Sequence, residues 1–303
     1  MPSGKEIKSR IKSVRNTGKI TKAMELISTV KMKKAQESVV ALRPFALATL
    51  SILGKLAKTD DILGLYARTP ASKKELIVLV ASQKGLCGGY NTNVFKKTTE
   101  YIRDDSDTPY TREYHYITIG KRARDFVLRT GQHLVADFSD EMKDPLTPTE
   151  SRHMVRAIVE LWKSGEYAKV SIVYNHYMSA ISQIPTVKAL FPIHRDDVFD
   201  FLSKHAGGKY QEELYDGSYV IEPDHETIMT MTIPLILDAI THETLLEAKA
   251  SEHAARMVAM KNAKDSANKK ATGLTLVYNK TRQAAITKEV SEIVSWVESM
   301  KDM

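Results

Sequence analysis

The sequence predicts an α/β domain inserted between two long terminal helices. Proline is absent from both ends of the chain, with none between Pro2 and Pro44 and none after Pro234. Both ends also repeat apolar residues at steps of three and four, whereas the segment between them alternates short apolar runs with helical patterns. The expected fold class is therefore α/β, with a Rossmann-like domain and a long antiparallel coiled coil formed by the N- and C-terminal helices.

The first helix is predicted within residues 1–60. Its apolar residues follow one helical face: Ile7, Ile11, Val14, Ile20, Met24, Ile27 and Val30. Residues 1–43 hold eleven Lys and Arg against three Glu, a charge of +8, so the rest of the chain contributes −1 to the net charge of +7. This basic segment fits a nucleic acid, an anionic membrane surface, acidic protein surfaces or simply a solvated helix face.

The α/β domain is predicted over residues 70–225. Apolar runs typical of buried strands occur at 75–82, 114–119, 169–174 and 183–190. Helical patterns follow from residue 93 and over 121–129 and 149–163, the last with Thr149 as its expected cap. Strands that alternate with helices indicate a largely parallel sheet. Residues 200–225 are polar and predict a surface loop or hairpin.

The second long helix is predicted within residues 226–303. From Leu235 onward the chain has no proline and one glycine, Gly273, which indicates one continuous helix of roughly 100 Å. Its apolar and small residues again form a stripe: Ile233, Ile236, Leu237, Ile240, Leu245, Ala248, Ala255, Ala259, Leu274, Val277, Ile286, Val290, Ile293 and Val297. Because a long amphipathic helix must bury its stripe, the two terminal helices are expected to pair, with a bundle involving other chains as the alternative.

The best candidate for chemistry is the glycine-rich segment Gly85–Gly89, directly after the first strand. Glycine-rich turns at such places can hold phosphate groups at a helix N-terminus. The spacing G-x-x-G-G matches neither the dinucleotide-binding pattern nor the P-loop, so Gly85, Gly88 and Gly89 are expected to form a structural turn. A nucleotide-binding α/β enzyme is the alternative that this segment leaves open.

The remaining composition indicates no cofactor and no metal. The nine histidines lack the spacing of a metal site, and the lone Cys87 excludes a disulfide or thiol switch within the chain. The mean hydropathy of −0.29 argues against a membrane-spanning protein, and no signal or transit peptide is recognisable. We therefore expect no catalytic, cofactor-binding or metal-binding residue.

Four segments closely resemble the γ subunits of F-type ATP synthases. They are KITKAMELISTVKMKKA (19–35), GLCGGYN (85–91), SEHAARMVAMKNA (251–263) and LTLVYNKTRQAAITKEVSEIV (274–294). Their order and spread cover essentially the whole chain. The sequence departs from the family at Gln83-Lys84, where an acidic–basic pair is usual, and at Ser295-Trp296-Val297, where small residues are usual. Extra length compared with bacterial members is expected in 196–222.

The resemblance implies a non-catalytic rotor subunit of the central stalk. Its paired helices would lie along the axis of a hexamer of α and β subunits, and its α/β domain would contact the ε subunit and the membrane c-ring. Rotation of that ring by proton flow would change the β subunits in turn, where ATP is made. The protein would be peripheral to the membrane, on the cytoplasmic face of a bacterial plasma membrane, with the matrix side of the mitochondrial inner membrane as the alternative.

The resemblance also assigns residues to a rotor–stator interface. They are Met24, Lys22, Lys31, Arg282, Gln283, Thr287 and Glu289. Met24 would belong to a segment that faces an acidic lobe of β, while the four residues of the second helix match positions tied to coupling and to hydrogen bonds with β. No nucleic acid and no small-molecule substrate is expected. A coiled-coil nucleic-acid-binding protein is the alternative that the basic segment leaves open.

Overall fold

The computed structural model describes residues 4–42, 66–106, 112–193 and 224–301, with a few isolated positions between them. The elements in chain order are α1 (Gly4–Ala41), β1 (Lys74–Val80), α2 (Tyr90–Ser106), β2 (Glu113–Ile119), α3 (Lys121–Arg129), β3 (His133–Asp137), a 3-10 turn (Ser139–Glu141), α4 (Pro148–Lys163), β4 (Lys169–Tyr177), β5 (Gln183–Phe191) and α5 (His225–Lys301). The chain divides into two compact units, one of Met1–Ile27 with Met257–Met303 and one of Ser28–Arg256. Most of 196–222, and of the predicted first helix beyond residue 48, lies outside the described residues.

The unit Ser28–Arg256 is built on a sheet of five described strands in the order β3-β2-β1-β4-β5. Strands β1 to β4 run parallel to one another, and β5 runs antiparallel to β4 at one edge. The predicted, largely parallel sheet is thus confirmed. The sequence analysis missed β3, since this edge strand has only five residues, none of them fully buried.

Alternate residues of β1 enter two separate cores, one on each face of the sheet. Val78 and Val80 belong to the core that contains residues of α4 and α5, whereas Ile77 and Leu79 belong to the core that contains residues of α2 and α3. Burial on both faces explains why this strand reads as a continuous apolar run. Gly120, at the end of β2, has a φ of 97°, and a Cβ there would collide with the carbonyl of Ala81.

The N-cap of helix α4 lies two residues earlier than predicted. Thr147, not Thr149, is the N-cap, and Glu150 completes a capping box by accepting a hydrogen bond from the Thr147 amide at 2.9 Å. Pro148 occupies the first turn, where its missing N–H costs nothing. The carboxylate three residues after Thr147 determines which threonine serves as the cap.

Helix α5 is continuous, as predicted, but starts ten residues before Leu235 and contains Pro234. Its start is set by Asp224, whose carboxylate accepts hydrogen bonds from the amide and hydroxyl of Thr227, each at 2.8 Å. The residues that flank the proline, Ile233 and Ile236, are buried in the core. Their burial offsets the helical hydrogen bond that proline cannot make.

The other unit is an antiparallel helix pair, which confirms the expected coiled coil. Gly4 lies beside Tyr278, Gly18 beside Ala267, and Lys264 donates to Glu25 at 2.8 Å. Residue numbers therefore rise along one helix as they fall along the other. No helix in the described part of the chain is long and apolar enough to cross a membrane.

The predicted apolar stripe of α1 is only partly at the contact. Ile7 and Ile11 are buried, but Ile20, Ile27 and Val30 are exposed. From Gly18 onward, the small or polar residues Gly18, Thr21 and Glu25 take the inner positions at steps of three and four. Small side chains let the two backbones approach, so that the larger apolar residues turn outward.

The prediction that the apolar stripe of α5 is buried is also wrong beyond residue 274. Its predicted members Val277, Ile286, Val290, Ile293 and Val297 are exposed. Because Gly4 at the start of α1 lies beside Tyr278, the described part of α1 ends at about that level. The later residues of α5 have no helix of this chain to pack against among the described residues.

Candidate functional site

The glycine-rich turn after β1 is attached to helix α5. Gly88 and Leu86 have positive φ values of 58° and 63°, and the Leu86 side chain is exposed. The guanidinium of Arg256 donates to the carbonyl of Lys84 at 2.9 Å and to that of Gly85 at 3.4 Å. The guanidinium of the long helix thus holds the turn in place through two backbone carbonyls.

Polar contacts also hold the inner side of this turn. The Asn91 side chain accepts from the Ser82 amide at 3.0 Å and donates to the Ser82 hydroxyl at 2.8 Å. The Cys87 thiol is buried, and burial raises its pKa, which keeps it in the unreactive thiol form. Gln83 accepts a hydrogen bond from the Lys121 amide at 2.9 Å and so supports the start of α3. A glutamine in the place of the family's acidic residue therefore has a defined partner.

One face of α5 carries buried ionisable side chains inside the unit Ser28–Arg256. Lys249, Glu252, His253 and Arg256 are all at most 8% exposed, and their spacing of three and four places them on one side of the helix. Arg256 donates to Glu252 at 2.7 Å, and Lys249 donates to Asp144 at 2.8 Å. None of these four residues was predicted as a site from the sequence. Their helical spacing within an alanine-rich stretch was the signal that could have revealed a buried polar face.

Two more histidines join this helix to the domain. The ring of His242 lies 2.8 Å from the Ser151 hydroxyl, and burial lowers the pKa of His242. His176 of β4 lies 2.7 Å from a Glu247 carboxylate oxygen. Within the described residues, no three His, Cys, Asp or Glu side chains are placed to hold a metal ion. These two contacts attach α5 to α4 and to β4.

The expected interface residues of α1 have different surroundings. Lys22 is exposed and Met24 is half-buried. Lys31 is half-exposed and donates to Asp144 at 3.0 Å, so it already has a partner within its own unit. The exposed apolar side chains Ile20, Leu26 and Ile27 alternate with lysines on this helix. Apolar side chains left in water at this density are typical of a surface that binds another protein.

The expected interface residues of α5 all lie on an exposed stretch. Arg282, Gln283, Thr287 and Glu289 are brought together within about two turns, and the Thr287 hydroxyl donates to the Gln283 carbonyl at 3.0 Å. Exposed apolar side chains accompany them: Leu276, Val277, Ile286, Val290, Ile293, Val294, Trp296, Val297 and Met300. Trp296, the largest of these side chains, is 73% exposed. A row of uncovered apolar side chains is typical of a surface that binds another protein.

Comparison with known proteins gives consistent matches along the whole length. The sequence model of the family described as ATP synthase matches residues 3–300. The ATP synthase gamma chain of Roseiflexus castenholzii is 37% identical over 308 residues and covers 100% of both chains. That of Desulfitobacterium hafniense is 35% identical over 303 residues, covering 99% of this chain and 100% of the relative.

Solved structures show the same fold. A chain of the Euglena gracilis mitochondrial ATP synthase, from an assembly of OSCP, F1 and c-ring, aligns with a TM-score of 0.62 at 19% identity and covers 98% of this chain and 95% of that one. A chain from the central stalk and c-ring of the Tetrahymena thermophila enzyme aligns with a TM-score of 0.57 at 23% identity, covering 80% and 99%. At these identities the likeness concerns the fold.

Proposed function

The chain belongs to the ATP synthase gamma-chain family, and from this premise we propose that its helix pair is a shaft that transmits torque between a membrane rotor ring and the catalytic subunits. As a member it is a non-catalytic, central-stalk subunit of an F-type ATP synthase. It is peripheral, and its association with the membrane comes through the complex.

The observation that supports the shaft most strongly is the uncovered apolar stretch of α5 from Leu276 to Met300. Full burial of one large apolar side chain contributes about 1.5–3 kcal/mol, so leaving such a row in water is costly. A ring of subunits that surrounds this stretch would cover it on all sides. We assign that ring to a hexamer of α and β subunits, in which Trp296 and its neighbours turn against an apolar lining.

The polar residues of the same stretch supply the contacts that depend on rotation angle. Arg282, Gln283, Thr287 and Glu289 are exposed and can form hydrogen bonds to β subunits. On α1, Lys22 and Met24 would face an acidic lobe of β, and Lys31 would add charge near it. Ion pairs between these lysines and acidic side chains of β would be exposed, individually weak and screened by salt. They could therefore form and break as the shaft turns.

The α/β domain is assigned to the membrane side of the stalk. We propose that it contacts the ε subunit and the c-ring, and that the complex lies on the cytoplasmic face of a bacterial plasma membrane. Its sheet, covered by helices on both faces, is a rigid body that suits a load-bearing attachment. The complex would use proton flow to turn the ring.

Reconstitution tests this function directly. The purified chain is mixed with matching α and β subunits, and complex formation and ATP hydrolysis are followed. The expected product contains one copy of this chain and hydrolyses ATP faster than α and β alone. The proposal fails if no complex forms. In that event, binding of a nucleotide or of duplex nucleic acid by the isolated chain would favour the alternatives left open by Gly85–Gly89 and by the basic segment.

A further inference from the structure

A single carboxylate joins the α/β domain to both long helices. Asp144 lies between the 3-10 turn Ser139–Glu141 and α4, within the unit Ser28–Arg256. One of its oxygens accepts from Lys249 at 2.8 Å and from His253 at 3.3 Å, both on α5. Its other oxygen accepts from Lys31 of α1 at 3.0 Å. The three donors are separated from Asp144 by more than 100 residues in sequence.

The environment of these groups makes the contacts consequential. The Lys249 side chain is 4% exposed, and its ammonium has one further acceptor in the structure, the Met142 carbonyl at 3.0 Å. Burial disfavours the charged form of Asp144, but the hydrogen bond from His253 and the charge of Lys249 outweigh it, and the pKa of Asp144 lies well below its usual value. Loss of the Asp144 charge would leave the buried ammonium of Lys249 uncompensated.

A second set of hydrogen bonds extends the link to the glycine-rich turn. Arg256 lies with Nη1 3.2 Å from His253 Nδ1 and also donates to Lys84 and Glu252. Because a guanidinium can only donate, His253 Nδ1 must accept, which places the ring proton on Nε2, facing Asp144. Asp144, His253 and Arg256 therefore form one chain of oriented hydrogen bonds along α5.

Directional contacts matter for a part that transmits rotation. Apolar packing is not directional and resists rolling of a helix only through the shape of its side chains. Hydrogen bonds and ion pairs weaken steeply with misalignment, and so they fix the angle of a helix about its own axis. We propose that Asp144 is a positioning residue that clamps the α/β domain to α1 and α5, so that torque on the domain turns both helices without slip.

This inference rests on the proposed shaft function, and its test uses the complete ATP synthase in sealed vesicles. In the variant Asp144→Asn the side chain keeps its size and loses its charge. We expect ATP hydrolysis to continue while the ratio of protons pumped to ATP hydrolysed falls by about threefold or more, since two charged hydrogen bonds to α5 weaken. The matched control is Glu166→Gln, which removes the ion pair with Lys74 inside the α/β domain, away from both helices.

Two further variants separate clamping from general stability. Lys249→Met removes the α5 partner with an apolar side chain of similar length, and it should lower the pumping ratio like Asp144→Asn. If the two residues act through the same contact, the double variant is hardly worse than either single variant. Asp144→Glu keeps the charge and should restore part of the ratio. A purely structural role would lower the yield of assembled complex without changing the ratio of the complexes that do assemble.

The outcomes are decisive in each case. A normal pumping ratio in assembled Asp144→Asn complexes, equal to that of Glu166→Gln, overturns the clamp. If Asp144→Asn does not assemble, Lys249→Met decides: a lowered ratio supports the clamp, and an unchanged ratio overturns it. Failure of the natural chain itself to assemble or to support pumping would instead overturn the proposed function.

Discussion

At the scale of single residues, the α/β domain tolerates the buried carboxylate of Glu75 because this group has several specific partners. Glu75 of β1 is completely buried, yet its carboxylate accepts from Arg112 at 2.9 Å, from Tyr101 at 2.7 Å and from Ser171 at 2.6 Å. Lys169 lies 3.9 Å away. Such a group stabilises the fold only while its partners stay in place.

Replacement of Glu75 therefore has a specific expected cost. Glu75→Ala should lower the free energy of unfolding by roughly 3 kcal/mol, because it leaves Tyr101, Arg112 and Ser171 without their common acceptor. Chemical unfolding of the purified chain measures the effect. The half-exposed Glu166→Gln serves as the comparison and should unfold almost like the natural chain. Equal stability of the two variants would contradict this account of Glu75.

The pH dependence of Asp144 has a defined direction. The pKa of this carboxyl is lowered on folding, against the opposing effect of burial, so its stabilisation is complete above the unfolded value of 3.8 and is lost as the pH falls further toward the folded value. The stability difference between the natural chain and Asp144→Asn should thus be constant from about pH 5 to 8 and shrink below about pH 4. Urea unfolding at a series of pH values checks this, and a difference that grows on acidification would contradict it.

At the scale of secondary-structure elements, the helix pair depends on where small side chains lie. Gly18 is buried against α5, and a Cβ there would meet Ala267 and Asn268 at ordinary contact distances of 3.6 Å. The glycine costs helix stability. Together with Thr21 and Glu25 it forms a narrow seam between α1 and α5, and larger residues in this seam would push the two helices apart. The width of this seam decides which α1 side chains face outward.

Two substitutions at Gly18 should act in opposite directions. Gly18→Ala should raise the stability of the pair by about 0.5–1 kcal/mol, since one methyl group fits and the helix propensity improves. Gly18→Leu should lower it, because a branched side chain has no space beside Ala267. The melting temperature of the isolated chain, followed by helical circular dichroism, measures both. A loss of stability in the alanine variant would show that the seam is tighter than its geometry indicates.

At the scale of the whole molecule, the uncovered end of α5 contributes little to folding, and in the proposed function it serves assembly. Trp296 and Ile293 are 73% and 63% exposed, so they contribute little to the fold of the isolated chain. In the proposed function, other subunits cover these side chains. Residues that stabilise the fold of this chain would then differ from residues that bind it to its complex.

Trp296→Asp should make that separation measurable. The melting temperature of the isolated chain should hardly change, because surface substitutions usually shift stability by less than about 0.5 kcal/mol. Association with α and β subunits should weaken by about tenfold to a hundredfold, as expected for loss of an aromatic anchor in an interface. Lys280→Ala, at an exposed polar position of the same helix, should bind normally. Unchanged binding of Trp296→Asp would exclude a tight apolar lining around this end.

The sequence by itself determined the elements with strong local signals. Long proline-poor ends predicted the two helices, apolar runs predicted the strands other than β3, and four motif blocks indicated the family. These features depend on residues close together in the chain, where backbone propensity and periodicity act directly. The residues assigned through the family on α5, from Arg282 to Glu289, form one continuous stretch, and their role at an interface stays a prediction.

Only the tertiary structure decided which helix faces are covered and which distant charges meet. Gly18 and Thr21 lie inside while Ile20 and Ile27 lie outside, since close backbone approach outweighed side-chain hydrophobicity in the packing of α1. Pro234 stays within α5 because the domain core covers its flanks. The contacts of Asp144 with Lys31, Lys249 and His253 join segments more than 100 residues apart. No local pattern predicts such a meeting, because it follows from how the whole domain packs around both helices.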